Sequence, residues 1–407
     1  MNLATVSLAY LRARALSTTL NVLLLALGIA TITLLLLATS QLEERMRRDA
    51  QGIDLVVGAK GSPMQIILSS IYQLDVPTGN VSWKQAQELA RHRMVKKVIP
   101  LALADNYRGY RVVGTNHDYV AHYNARLAQG RLWQAPLEVV LGAEIVAQTG
   151  LAMGATFIGA HGMGAGEGEG EVMHETHSYR VVGVLAPTGT VVDRVVLTDV
   201  ASVWAVHADQ YDIKDVARVA ELMPDDEKEL TALLIQYASP LAAAMLPRYI
   251  NRNSDMQAAS PAYETARLFT IIGVGVDVLR GFALVLVLAA GLSVFIALYN
   301  ALLERRYDLA VMRTLGASPG KLMALMLFEG ALLAVIGAAL GIALGHVLTE
   351  MLGFAFKAAK QVSVTGWVWM NAELWLVVLA LGVGVVAALL PAWRAYRTDI
   401  AGTLARG

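Results

Sequence analysis

The 407-residue chain contains no cysteine. That excludes disulfides, thiolate metal ligation and a cysteine nucleophile, and it leaves the redox compartment open. Charge is scarce too: 16% of residues are charged, against roughly 25% in an average soluble protein. The 33 basic and 33 acidic side chains cancel, so no field of one sign points to nucleic acid as a partner. A nucleotide-binding loop of the order G-x-x-x-x-G-K-[ST], whose amides and lysine cradle phosphates, is not present. "VVGAKGSP" (56–63) and "LGASPGKL" (315–322) hold glycines and a lysine in the wrong register. No catalytic residue is assigned, and the chain reads as a non-enzyme.

What the chain does have is apolar length. No charged residue lies between Arg14 and Glu43, or between Arg280 and Glu304. A third run follows Glu329 to Thr349 and a fourth fills Leu374 to Trp393. A hydrocarbon core of ~30 Å needs about 20 apolar residues in a helix, so all four runs predict membrane spans. The first is too long for a signal-peptide core of about 7–15 residues, and no clear A-x-A site follows it. It reads as a retained helix starting near Leu16.

Basic residues in the short flanks set the orientation. Arg12 and Arg14 precede the first span, Arg305, Arg306, Arg313 and Lys321 lie between the second and third, and Arg394, Arg397 and Arg406 follow the fourth. Both termini and the charged loop are therefore expected in the cytoplasm. Residues 41 to about 265 fall outside as one insertion of mixed α/β character. "VSWKQAQELARHRMV" reads as a helix capped by Ser82. "YRGYRVVGT", "LEVVLGAEIV", "YRVVGVLAP" and "DRVVLTDV" read as short strands, and from Asp212 the pattern turns helical again. The first helix is expected to continue outward through "SQLEERMRRDA", which lacks glycine and proline.

The resulting division is an N-terminus and first span with an outward stalk (1–48), an outer α/β domain (49–265), and a stalk with the second span (266–303). A cytoplasmic helix (304–318), the third span (319–350), a short outer connection (351–373) and the fourth span with its tail (374–407) follow. In the charged loop, Leu303, Tyr307, Val311 and Leu315 recur every four residues and form one apolar face. Gly316 stands where a helix C′ residue is preferred, and Ser318 and Pro319 supply an N-cap and N1 for the next helix. The twelve residues from Glu304 span ~18 Å as a helix, enough to lie across a groove on a partner. Charge alone would make this only a topology-fixing loop.

"ERRYDLAVMRTLGAS", "LLPAWRAYRTDIAGTLARG" and "LAYLRARALSTTLNVLLLALGIA" resemble the cytoplasmic motif, C-terminal end and N-terminal end of the MacB/LolC/LolE/FtsX group of ABC transporter permeases. "RLAQGRLW", "EVVLGAEIVAQTGLAMGATF" and "YRVVGVLAPTGTVVDRVVL" are similar to the MacB-like periplasmic core domain. The resemblance implies a four-span inner-membrane permease with its large domain in the periplasm. Its energy would come from a separate ABC ATPase subunit in two copies, which carries the ATP and Mg2+; this chain would hold no cofactor. A second permease copy, identical or not, and a periplasmic partner or substrate protein are implied as well. In that light Glu304, Arg305, Arg306, Tyr307, Asp308, Val311, Arg313, Leu315 and Gly316 form a coupling helix. Its apolar face would bury in the ATPase, with Arg305, Arg306 and Arg313 meeting acidic groups. ATP-driven closure would then move the outer domain for export or extraction, by mechanotransmission. The alternative is an FtsX-like signalling platform regulating a periplasmic partner such as a cell-wall hydrolase.

Gly337, Gly341 and Gly345, four apart on the third span, form a smooth strip for close helix packing. Glu329, near the cytoplasmic end of that span, suits snorkelling or a loop contact better than a proton relay. His161, His174 and His177 lie with Glu167, Glu169, Glu171 and Glu175 in "HGMGAGEGEGEVMHETHSY". They are candidate divalent-metal ligands, although the composition fits an acidic surface loop better. "GAKGSPMQIILSSIYQLDVPTGN" combines a glycine turn, a Ser-Pro helix start and exposed-looking apolar residues; it reads as the first element of the outer domain or as a contact surface.

Overall fold

A computed structural model of the chain describes residues 3–161, 173–206, 218–358 and 364–397. It divides into two compact units, one comprising residues 1–42, 272–358 and 362–407, the other residues 43–271 with 359–361.

Among the described residues, four helices are long and apolar enough to cross a membrane: Ala15–Asp49, Pro261–Glu304, Pro319–Phe356 and Glu373–Tyr396. The N-terminal helix Leu3–Ala13 precedes them, and the short helix Arg306–Thr314 joins the second span to the third. The first span runs unbroken to Asp49, and the second starts at Pro261 without a separate stalk segment. The third helix continues to Ala358, past the expected end at residue 350. All four spans contribute to one core, through Leu25 and Ile29, Val287 and Ala290, Ala334 and Ala338, and Leu376 and Ala380. The abundance of alanine and glycine lets backbones approach, which drives helix association where lipid removes the hydrophobic contrast. Gly330 and Gly384 face each other so closely that a Cβ on either would meet the other's carbonyl oxygen, at 2.7 and 2.6 Å.

The connection between the third and fourth spans is tied by side chains. Gln41 donates to Thr365 O at 2.8 Å and accepts from Thr365 N at 3.0 Å. Glu350 accepts from the hydroxyl of Thr365 and from Gly366 N, both at 2.8 Å. Buried Glu373 takes His346 Nε2 at 2.8 Å and Met370 N at 2.9 Å.

The described residues of the second unit form twelve strands: β1 Leu55–Ala59, β2 Val81–Ser82, β3 Val95–Tyr107, β4 Tyr110–Thr115, β5 Leu127–Gly130, β6 Glu138–Leu141, β7 Thr156–His161, β8 Met173–Leu185, β9 Val196–Asp199, β10 Glu229–Leu230, β11 Ala232–Tyr237 and β12 Met256–Ala259. Ten form one sheet in the order β12-β1-β11-β3-β4-β9-β6-β8-β5, with β7 pairing β3 and β8; β2 and β10 form a separate pair. The contacts β4 with β9 and β6 with β8 are parallel, and the other pairings are antiparallel. One core collects Leu55, Val57, Leu233, Ile235, Trp204 and Leu246. A second collects Val112, Val139, Leu141, Phe157, Tyr179 and Val196.

Several local expectations change. The stretch after residue 218 is not continuously helical: β11 sits inside the sheet, and β12 forms its edge after the helix Pro240–Asn253. "ALLIQY" is a short continuous apolar run, a pattern in which periodicity does not separate strand from buried helix. The helix Trp83–Ala90 follows Ser82, but the serine side chain makes no cap bond. Ser62 does cap the helix Pro63–Ser70, its Oγ accepting from Gln65 N at 3.4 Å. The apolar residues of that segment divide: Ile66, Ile67, Ile71 and Tyr72 are buried, whereas Leu74 and Val76 are exposed. Arg111, on β4, pins the turn that follows. It donates to Ser69 O at 3.0 Å, Gln73 Oε1 at 3.2 Å and Asp75 O at 2.8 Å. Burial lowers its pKa to about 10, a value at which the guanidinium stays charged and the pins hold.

Candidate functional site

The joint between the second and third spans carries the features a docking helix needs. The helix Arg306–Thr314 ends at Gly316, whose φ of +93° is the left-handed conformation that glycine adopts without penalty. Gly316 N donates to Arg313 O at 3.1 Å and Ala317 N to Met312 O at 3.0 Å, the paired bonds of a Schellman ending. Ser318 Oγ then accepts from Lys321 N at 3.4 Å, with Pro319 at the first position of the third span. Stop and restart occupy four residues, so the C-terminal end of the short helix and the start of the third span are both fixed by local chemistry. Residues 316–320 also spell G-x-S-x-G, the order of a hydrolase nucleophile elbow. No strand leads into this serine, which caps a helix between two helices, so the elbow geometry is missing.

One side of the helix is occupied within the chain. Leu309 and Ala310 are fully buried, and Leu309 shares a core with Leu302, Leu322, Leu325, Met326 and Ala392. The strip read from the sequence lies on another side: Leu303, Tyr307 and Leu315 are 40%, 53% and 82% exposed, and Val311 is half-buried. Both faces are apolar, and the fold uses only one. Glu304, Arg306 and Asp308 are exposed beside the strip. Arg313 is half-buried, its Nη1 donating to Ala317 O at 3.3 Å.

Arg305 departs from the expectation. Its side chain is turned into the protein, where Nη1 lies 3.1 Å from Glu329 Oε1 and the guanidinium stacks on Tyr10. A cation held between a carboxylate and a ring inside the chain is not offered to a partner. The loop contact expected for Glu329 is this pair, while Tyr10 carried no sequence signal. Glu304 is ion-paired with Arg14.

Gly337, Gly341 and Gly345 face the first span. A Cβ on each would meet Leu25 at 2.8 Å, Ile29 at 2.7 Å and Thr33 at 2.5 Å. Of the histidine candidates, His177 is buried, and the side chains of His161 and His174 lie outside the described residues, as do Glu167, Glu169, Glu171 and Glu175. Among the described residues no three His, Asp or Glu side chains gather as a metal site. The His346–Glu373 pair and Glu350 were missed in the sequence because each is a lone polar residue at the edge of an apolar run.

Two family models match the chain: a MacB-like periplasmic core domain over residues 18–245, more than half of the sequence, and an FtsX-like permease C-terminal region over residues 280–400. An uncharacterized ABC transporter permease of Methanocaldococcus jannaschii is 24% identical over 123 residues, covering 30% of this chain and 31% of the relative. The chain thus matches about a third of that relative's length. Two solved structures are also similar. The periplasmic region of MacB from Actinobacillus actinomycetemcomitans is 11% identical with a TM-score of 0.35, over 54% of this chain and 95% of that one. The extracellular domain of the noncanonic ABC-type transporter YknZ from Gram-positive bacteria is 13% identical with a TM-score of 0.30, over 51% and 99%. Four apolar helices with a mixed α/β insertion after the first, matched by these two models, define a multi-pass membrane protein of permease type. The chain belongs to the MacB/FtsX-like ABC transporter permeases.

Proposed function

We propose that this chain is the membrane subunit through which a separate ATPase does mechanical work on the periplasmic side. Two ATPase subunits, holding ATP and Mg2+, dock on the helices 306–314 of two permease copies in the bacterial inner membrane, with both termini on the ATPase side. Their closure is passed through the spans to the outer α/β domain, which acts on a substrate or partner protein there. The permease itself performs no chemistry.

The observation that carries this reading is the exposed strip Leu303–Tyr307–Leu315, which runs along the joint and the short helix, together with the sharp stop at Gly316 and restart at Ser318. A loop that only fixed topology would need neither. Exposed Arg306 and half-buried Arg313 flank the strip and supply charge to an acidic rim. The test is ATP hydrolysis retained on the affinity-purified permease from its native membrane. Leu315→Asp and Tyr307→Asp, at exposed positions, should leave expression and thermal stability unchanged while reducing the retained activity by about tenfold or more, as for loss of an interface anchor. Full retention in both variants refutes the docking reading. A purified permease whose retained ATPase has no effect on cargo but responds to a cell-wall hydrolase would favour the signalling alternative.

A further inference from the structure

Arg305 is the single residue between the helices Pro261–Glu304 and Arg306–Thr314. Its backbone serves both: its N–H donates to Ala301 O at 3.1 Å, and its carbonyl accepts from Leu309 N at 3.0 Å. With φ at −97° and ψ at 8° it departs from helical geometry between them. The side chain goes elsewhere, to two segments distant in sequence. Nη1 lies 3.1 and 3.5 Å from the two carboxylate oxygens of Glu329, on the third span. The guanidinium carbon sits 3.6 Å from the centroid of the Tyr10 ring, on the N-terminal helix.

The pair is shielded. The two side chains are 9% and 1% exposed. Leu302 and Leu309, three residues before and four after Arg305, are buried, as are Leu325 and Met326, four and three before Glu329; such spacings share a helix face. An ion pair in these surroundings adds little net stability over an apolar pair of the same shape. What it does add is geometry, because a planar guanidinium meets a carboxylate and a ring together in few arrangements. A second ion pair, Arg14 with Glu304, ties the N-terminal segment to the same joint.

We propose that Arg305 is a positioning residue. Clamped between Glu329 and Tyr10, it sets the angle at which helix 306–314 is presented and delivers a push on that helix into the third span and the N-terminal helix. The functional half of this inference rests on the docking reading above; the structural half stands without it.

The absence of cysteine makes the angle measurable in the full-length protein. Spin labels at Thr314→Cys and Leu20→Cys, both exposed positions, are diluted with unlabelled permease so that distances within one chain are read. The parent protein should give a narrow distribution. Arg305→Ala and Glu329→Gln should about double its width, as release of one joint into several orientations requires, and the exchange Arg305→Glu with Glu329→Arg should narrow it again. In the ATPase complex, the two single variants should retain the ATPase within about twofold while lowering kcat about fivefold or more at unchanged KM for ATP, the size of an ordinary coupling energy.

Widths unchanged in both single variants, or a charge exchange that fails to narrow the distribution, overturn the clamp. Release of the ATPase by Arg305→Ala at unchanged width makes Arg305 a contact residue and also overturns it. Full ATPase retention by both Leu315→Asp and Tyr307→Asp sinks the docking reading instead, and the label distances then decide the clamp alone.

Discussion

Gly345 on the third span stands so close to Thr33 on the first that a Cβ added to the glycine would lie 2.5 Å from the threonine Cβ. With Gly337 against Leu25 and Gly341 against Ile29, it forms the seam along which these helices pack. Gly345→Val should therefore force the helices apart and lower thermal stability in detergent by about 1–3 kcal/mol, the usual range for overpacking. Gly382→Val, on the fourth span with nothing within 4 Å of its added Cβ, is the control and should change little. Equal effects of the two substitutions would show that the seam does not hold the bundle.

Arg131 and Glu138 give the outer domain a pH-dependent contact. Arg131 donates to both carboxylate oxygens at 2.7 and 2.5 Å, and Gln134 N donates at 2.9 Å. The arginine bonds hold the Glu138 carboxyl at about 2, well below its ordinary value of about 4.3. A carboxylate whose folded-state pKa is depressed stabilises the fold fully above its unfolded value and loses that contribution as pH falls through the folded one. The contribution should be present above about pH 4.3 and fade toward pH 2. Because Arg131 is largely exposed, it should be about 1 kcal/mol or less. Comparing the thermal unfolding of the parent and Glu138→Gln at pH 7 and pH 3 checks this: the gap should shrink at the lower pH.

The Schellman ending of the short helix depends on Gly316 at φ +93°. Gly316→Ala should cost about 1 kcal/mol locally, with no surface lost from the strip Leu303–Tyr307–Leu315. On the docking reading the result is a partial drop in retained ATPase, smaller than for Leu315→Asp. Equal losses would mean that the ending matters more than the face.

Orientation is open to direct labelling, again because no native cysteine competes. Thr314 lies at the end of the short helix and is exposed, and Trp367, 87% exposed, lies in the connection between the third and fourth spans. In intact cells stripped of their outer membrane, Trp367→Cys should react with a membrane-impermeant maleimide, whereas Thr314→Cys should react only after lysis. The reverse pattern would invert the assigned topology.

Much of the architecture was legible in the sequence because its causes are local or long. Four uncharged runs of membrane length name four spans whatever their neighbours do. Gly316, Ser318 and Pro319 act within their own turn, so a helix stop and restart could be read from five letters. The strip Leu303–Tyr307–Leu315 was legible from its spacing. Spacing does not tell which of several apolar positions meets a partner and which meets the same chain, however, and Leu309 and Ala310 took the inner side. Arg305 shows the same limit for charge. Its partner lies 24 residues further on and its ring partner is on the N-terminal helix, so three equivalent-looking arginines concealed one that faces inward. "ALLIQY" was hidden because a strand buried on both faces has no alternation to read.

The sheet of the outer domain holds one more consequence. Its first strand, β1, lies beside its last, β12, with Val56 opposite Ala259 and Gly58 opposite Gln257. The polypeptide therefore enters and leaves this domain along neighbouring strands, about 5 Å apart, however many residues intervene. An insertion with such closely spaced ends is a cassette: its interior can lengthen, shorten or be exchanged for another while the two flanking helices receive the same pair of attachment points. Diversity can accumulate there without redesign of the helix bundle.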